Sequence, residues 1–400
     1  VLVGFVLRLF LIFPGPLESK VEFFTNKADL RNYYWPAQAA LRGENPYALW
    51  ADGQSGEFRA DMVPLELMIY VTTVAIWDDP RAIQILFALF DCVNIALLGA
   101  LLRTSHLRLP FQIFYAFGPL TLYNLVLVPE DKTILLTLTF VIFCLLTRHS
   151  SRVTFQVSGF KFQVSTSMTL ILTAALVASF KWLSVFYLLP LLLFVSRDAR
   201  DFLKQGIVFA GIVALTHLPW IPAWLYVYTF RASRINSPMH IAPAALLNAA
   251  GLYDKMLLTI ALIVSLGVIY AFFWFKRIDI FETIALSTAA GILWTPDMDP
   301  VHLAIVVIGL LLIFDWTRLP RLLIVWASSA WVAAVYALST RAGFTRYGLP
   351  DLRAIVGAYG SPQMILLSYV LFFVVLAFYA RDKLRGRAVG RGALVAEAKE

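Results

Sequence analysis

Apolar runs alternate with short polar connections along almost the whole chain. The clearest runs are Phe111–Val128, Thr133–Leu146, Ser167–Phe180, Leu183–Val195, Gly206–Trp224, Met256–Phe275, Phe281–Trp294, His302–Phe314, Leu322–Leu338 and Met364–Tyr379. Runs of this kind, near the length that carries a helix across hydrocarbon, predict an all-α fold: a polytopic transmembrane helix bundle with roughly a dozen crossings. Val1–Pro14 is apolar, contains Arg8 and is followed by no small-residue cleavage site, so we expect a helix there rather than a signal peptide.

The charges of the connections set an orientation. Basic connections at Arg103–Arg108, Arg148–Lys161, Arg197–Lys204, Lys276–Arg277, Arg318–Arg321 and Arg381–Arg391 alternate with Pro129–Lys132, the Lys181 corner, Tyr226–Lys255, Thr295–Val301 and Ser339–Ser361. The basic set is expected on the cytoplasmic side, the other outside. Between Gly15–Val63 and Arg103 lie two further runs, Pro64–Trp77 and Ala82–Leu102. The first is short and is cut off by Asp78, Asp79 and Pro80, so we expect it to lie at the outer interface while only the second crosses. Residues 1–380 then form one transmembrane domain, with 15–80 an extracytoplasmic connection carrying interfacial helices and 381–400 a basic cytoplasmic tail.

Composition agrees with the pattern. The chain is 60% hydrophobic and 14% charged, whereas soluble domains carry about a quarter charged residues. Its net charge of +8 falls in the short loops that the positive-inside rule accounts for, and calls for no nucleic-acid partner. Cys92 and Cys144 both sit in apolar runs, which argues against a disulfide or a CxxC metal site. Walker, GxGxxG and HExxH motifs are absent.

Candidate chemistry gathers in the outer connections. Leu30, Tyr33, Tyr34, Ala37 and Leu41 recur at helical spacing, as in an interfacial helix that Gly43 and Pro46 end. Asp29 stands at its start, where it is either an N-cap or a functional carboxylate. Glu130 and Asp131 are adjacent acids between two apolar runs: a solvated turn, or a pair that holds a divalent cation or orients a substrate hydroxyl. Lys181 tips a tight corner, where it snorkels or binds an anion. His302 follows a turn rich in Pro and Asp, and Arg231, Arg234, Arg341, Arg346 and Arg353 are outer cations that run against the usual charge bias.

At these residues the chain resembles the GT-C superfamily of membrane glycosyltransferases, most closely glycosyltransferase family 87, the polyprenyl-phosphate-mannose-dependent mannosyltransferases. The resemblance rests on Asp29 followed by Tyr33, Tyr34, Ala37, Ala40, Gly43, Asn45, Pro46 and Tyr47, on the acidic Glu130 and Asp131, on Lys181 after a small-residue helix, and on His302. Family 87 often carries Gly-Gln near the second acidic position, where this chain has Val128, Pro129, Glu130, Asp131 and Lys132.

The resemblance implies an inverting transferase in a prokaryotic plasma membrane, its active site facing outward. Such an enzyme moves a hexose, in this family mannose, from a polyprenyl-phosphate donor to a hydroxyl of a lipid-linked or cell-envelope glycan. Asp29 would be the catalytic base. Tyr33, Tyr34, Asn45, Tyr47, Glu130, Asp131, Lys181, His302, Arg231 and Arg234 would bind substrate, with any divalent cation near Glu130 and Asp131. The other classes open to a chain of this pattern are a transporter or flippase of lipid-linked glycans and a glycan polymerase or ligase.

Overall fold

A computed structural model describes residues 1–15, 28–56, 59–103, 105–122, 130–147, 152–157, 160–221, 223–225, 239–240, 243–295, 297–298, 302, 319–340, 351–358 and 361–384. In chain order the helices are α1 (Leu2–Ile12), α2 (Ala28–Leu41), α3 (Pro46–Ala51), α4 (Pro64–Ile76), α5 (Pro80–Leu101), α6 (Arg108–Ala116), α7 (Pro119–Leu122) and α8 (Lys132–Thr147). A hairpin of β1 (Arg152–Val157) and β2 (Phe160–Ser165) leads to α9 (Thr166–Lys181), α10 (Leu188–Val195) and α11 (Ala199–His217). Then follow β3 (Met239–His240), α12 (Pro243–Ala249), α13 (Lys255–Trp274), α14 (Ile280–Leu293), β4 (Asp297–Met298), α15 (Leu319–Thr340), α16 (Arg353–Val356), α17 (Pro362–Ser368) and α18 (Val370–Leu384). The fold is helical as expected, and the strands are minor additions.

Helix starts follow from local chemistry. Asp79 accepts from the Arg81 amide and Pro80 opens α5, while Asn45 accepts from the amides of Tyr47 and Ala48 and Pro46 opens α3. Asp279 and Glu282 form a reciprocal capping box at α14. Gly43, at φ +81°, takes the left-handed conformation that ends α2.

Five described helices are long and apolar enough to cross a membrane: Pro80–Leu101, Ala199–Trp220, Lys255–Trp274, Leu322–Ser339 and Pro362–Arg381. Six more apolar helices, of 10–17 residues, are shorter. Pro64–Ile76 is among the shorter ones, together with Lys132–Thr147, Thr166–Lys181 and Ile280–Leu293, which were expected to cross.

Some apolar runs are not single helices. The run expected over Phe111–Val128 breaks after Ala116, because Gly118 makes a tight bend and Pro119 starts a new helix. The run from Leu183 begins as a 3-10 turn, Leu183–Tyr187, before α10. The last run divides at Tyr369 into α17 and α18, and helix continues to Leu384, into the segment expected as tail.

The core centres on α5, which packs against α1, α4, α6 and α8. One stripe of α5 is polar although buried. Asp91 pairs with Arg8 of α1 and accepts from the Tyr115 hydroxyl at 2.5 Å, and Asn94 donates to Tyr115 and to the Thr133 carbonyl. Polar groups inside an apolar bundle persist when they are paired in this way.

Candidate functional site

Helix direction brings distant segments to one end of the bundle. The β1–β2 hairpin returns the chain from the end of α8 to the start of α9. The end of α9 therefore lies beside the start of α8, and an ion pair there joins Lys181 to Asp131. After α10 runs back, α11 ends at the same level: the hydroxyls of Thr216 and Ser179 lie 3.0 Å apart.

The cluster at this end is built on five side chains. Lys132 Nζ donates to Asp131 Oδ1 at 2.6 Å and to Glu130 Oε2 at 3.0 Å. Lys181 Nζ lies 2.6 Å from Asp131 Oδ2 and 3.1 Å from Glu66 Oε2. Two phenols complete the ring of contacts: Tyr33 donates to Glu130 Oε2 at 3.3 Å and Tyr70 to Glu66 Oε1 at 3.1 Å. Tyr33, Tyr70 and Phe87 pack over these contacts, their ring centroids 5.0–6.0 Å apart.

Each charge sits at the end of a helix that suits it. Asp131 precedes α8 and Glu66 lies in the first turn of α4, where unpaired amides favour an anion. Lys181 closes α9, where free carbonyls favour a cation. Glu66 and Asp131 are fully buried, whereas the Lys181 side chain is 18% exposed. Lys181 is thus the most exposed charge of the cluster.

Burial pushes the Glu66 carboxyl up to about 8; Lys181 opposes this rise and the charge of Asp131 reinforces it. Burial also works against ionised Asp131, but Lys132 and Lys181 outweigh it and hold that carboxyl well below the usual carboxylate range. Burial and then Glu66 push the Tyr70 phenol well up, so it remains a donor. Two ammonium groups face three carboxylates, which gives a net charge of −1 with every group ionised and zero with Glu66 protonated.

The donor set does not suit a divalent cation. Both Asp131 oxygens face ammonium groups, and Glu130 Oε2 takes Lys132 and Tyr33. Among the described residues no group of three His, Cys, Asp or Glu side chains is placed to hold a metal.

Of the residues singled out in the sequence, Tyr33, Glu130, Asp131 and Lys181 come together here. Asp29 lies in the first turn of α2, one helical turn before Tyr33; its side chain lies outside the described residues. Tyr34 instead donates to Asp78 at 2.8 Å on the exposed side. Asn45 is spent as the cap of α3, and Tyr47 is buried against Trp220, centroids 5.6 Å apart. Arg231, Arg234, Arg341 and Arg346 lie outside the described residues, and Arg353 pairs with Asp351 at 2.6 Å. His302 is half-buried, and residues 303–318 after it lie outside the described residues.

Sequence reasoning missed Glu66, Tyr70 and the bridging role of Lys132. The signal for Glu66 was present: a lone acid in an apolar run, with a tyrosine four residues on and so on the same helix face. No family model, curated protein or solved structure matches this chain.

Proposed function

We propose that this chain is a membrane glycosyltransferase of GT-C type that moves a hexose, mannose by the resemblance to family 87, from a polyprenyl-phosphate donor to a hydroxyl of a lipid-linked or cell-envelope glycan. The observation that carries the reading is the cluster itself. Three separate segments picked out as one site, namely the helix that bears Asp29, the acidic pair and the Lys181 corner, meet through Tyr33, Glu130, Asp131 and Lys181.

In the proposed reaction Asp29 takes the proton from the acceptor hydroxyl. The freed oxygen attacks the anomeric carbon, the carbon–oxygen bond to phosphate breaks, and polyprenyl phosphate leaves with the electron pair, which inverts the configuration. Lys181 faces the phosphate and stabilises its growing charge. Protonated Glu66 keeps the cluster neutral while the anion is bound. His302, Arg231 and Arg234 are proposed as further phosphate contacts. By the charge rule this end of the bundle is extracytoplasmic, in a multi-pass prokaryotic plasma-membrane protein.

The test is sugar transfer in vesicles supplied with polyprenyl-phosphate-mannose and membrane acceptors. Asp29→Asn is expected to lower transfer at least about 100-fold with the melting temperature unchanged. Unaltered transfer in that variant removes Asp29 as the base. A proton-coupled flippase is a second reading, favoured by a buried Glu66 that titrates near neutrality. Movement of the lipid across proteoliposomes with a proton gradient, without sugar transfer, would establish it instead.

A further inference from the structure

Beside Lys181 lies an aromatic group that the proposed chemistry does not use. Trp182 follows Lys181 directly and holds φ at +58°, a left-handed conformation that is strained for so bulky a residue. Its indole stands 5.4 Å from the His217 ring and 6.3 Å from Trp224, and His217 meets Trp224 edge to face at 4.6 Å between centroids. A separate aromatic pair joins Trp220, three residues after His217 in the chain, to Tyr47 of α3. The 3.0 Å contact between Thr216 and Ser179 fixes His217 at the level of Lys181.

His217 is the group that needs explaining. It is 5% exposed, and its Nδ1 lies 2.7 Å from the Val213 carbonyl, which can only accept. Nδ1 therefore carries the proton and Nε2 is left as an acceptor. Among the described residues nothing bonds to Nε2, although it is buried. A buried polar atom without a partner is costly, and a core that served only packing would place a carbon there.

We infer that Trp182, Trp224 and His217 form the seat of the donor's pyranose ring, with the ring's C–H face on the partly exposed Trp182 indole and, once the packed rings part to uncover it, His217 Nε2 accepting from one sugar hydroxyl. The inference rests on the proposed glycosyl-phosphate donor and adds where its sugar lies. Phosphate at Lys181 would bring the attached sugar to the next residue. Positively polarised C–H groups are attracted to the face of an indole, and a sugar carries both such a face and hydroxyl donors. A prenyl chain offers no donor to Nε2, so the free acceptor favours the sugar over the lipid tail.

The test is equilibrium binding to the full chain in lipid nanodiscs, comparing polyprenyl-phosphate-mannose, polyprenyl-phosphate-glucose and unglycosylated polyprenyl phosphate. The wild type should prefer a glycosylated lipid by about tenfold or more. His217→Phe keeps the aromatic packing and removes the acceptor, and Trp182→Gly removes the indole while relieving the backbone strain. Both variants should lose that preference and bind polyprenyl phosphate within about twofold of wild type. If the cluster serves packing alone, His217→Phe melts at or above wild type and the preference stays. A retained preference, equal weakening for all three lipids (a prenyl seat), or no preference in the wild type overturns the inference. Preference without any sugar transfer in vesicles leaves the sugar seat standing and removes the transferase reading.

Discussion

Lys181 and Asp131 tie the end of α9 to the start of α8 through a 2.6 Å ion pair whose carboxylate is fully buried. Such a pair holds its place because breaking it is worse than making it is good. Removing Asp131 leaves Lys132 and Lys181 without the acid they share, whereas removing Lys181 leaves Asp131 its contact with Lys132. Asp131→Asn is therefore expected to cost about 3–5 kcal/mol and Lys181→Met less. Denaturation in detergent of both variants and the double variant should give a coupling of about 1 kcal/mol or more. Additive effects would mean that the two residues do not act as a pair.

Stability should depend on pH through two groups of opposite sign. Glu66 titrates at about 8 when folded, against roughly 4.3 for a free glutamate. Its contribution is full below the unfolded value and is lost as the pH rises through the folded one. Asp131 is held low, so its contribution is full above the ordinary aspartate value and is lost as the pH falls through the acid range below it. From these two groups, melting temperature should peak near about pH 4–5 and fall towards about pH 8. Glu66→Gln should flatten the fall and melt above wild type at the upper end. A wild-type profile equally flat from about pH 5 to 8 would falsify the assignment of this slope to Glu66.

Chelation should change nothing. Both Asp131 oxygens and Glu130 Oε2 already face Lys132, Lys181 or Tyr33. Washing the vesicles with EDTA is expected to leave both the melting temperature and the transfer rate as they were. A rate lost to EDTA and restored by magnesium or manganese would place a cation on these carboxylates, with a lysine displaced.

Tyr33 and Asp29 share a helix but should differ in effect. The Tyr33 hydroxyl makes a 3.3 Å bond to Glu130, which already has Lys132. Tyr33→Phe should therefore cost about 1 kcal/mol of stability and lower transfer less than tenfold. A loss as large as that of Asp29→Asn would move Tyr33 from a support of the acidic pair to the reaction itself.

Hydropathy made the helical fold readable, because apolar length is a local property. Leu30, Tyr33 and Ala37 are buried as their spacing predicts, while Leu41 is exposed at the tip of α2. The meeting of Glu130, Asp131 and Lys181 was legible only through the order of turns. Glu66 was not: it lies inside an apolar helix, and its partner Lys181 is far along the chain. The break at Gly118 and Pro119 could be read from residue type, but hydropathy alone ran through it.

The pairing of Arg8 with Asp91 has a consequence for how the chain is made. The arginine of α1 meets its counter-ion only after a further 83 residues have been synthesised. Until then its charge must stay hydrated, because an unpaired arginine is expensive in hydrocarbon. The placing of α1 in the bundle thus depends on α5, which brings the carboxylate that neutralises it.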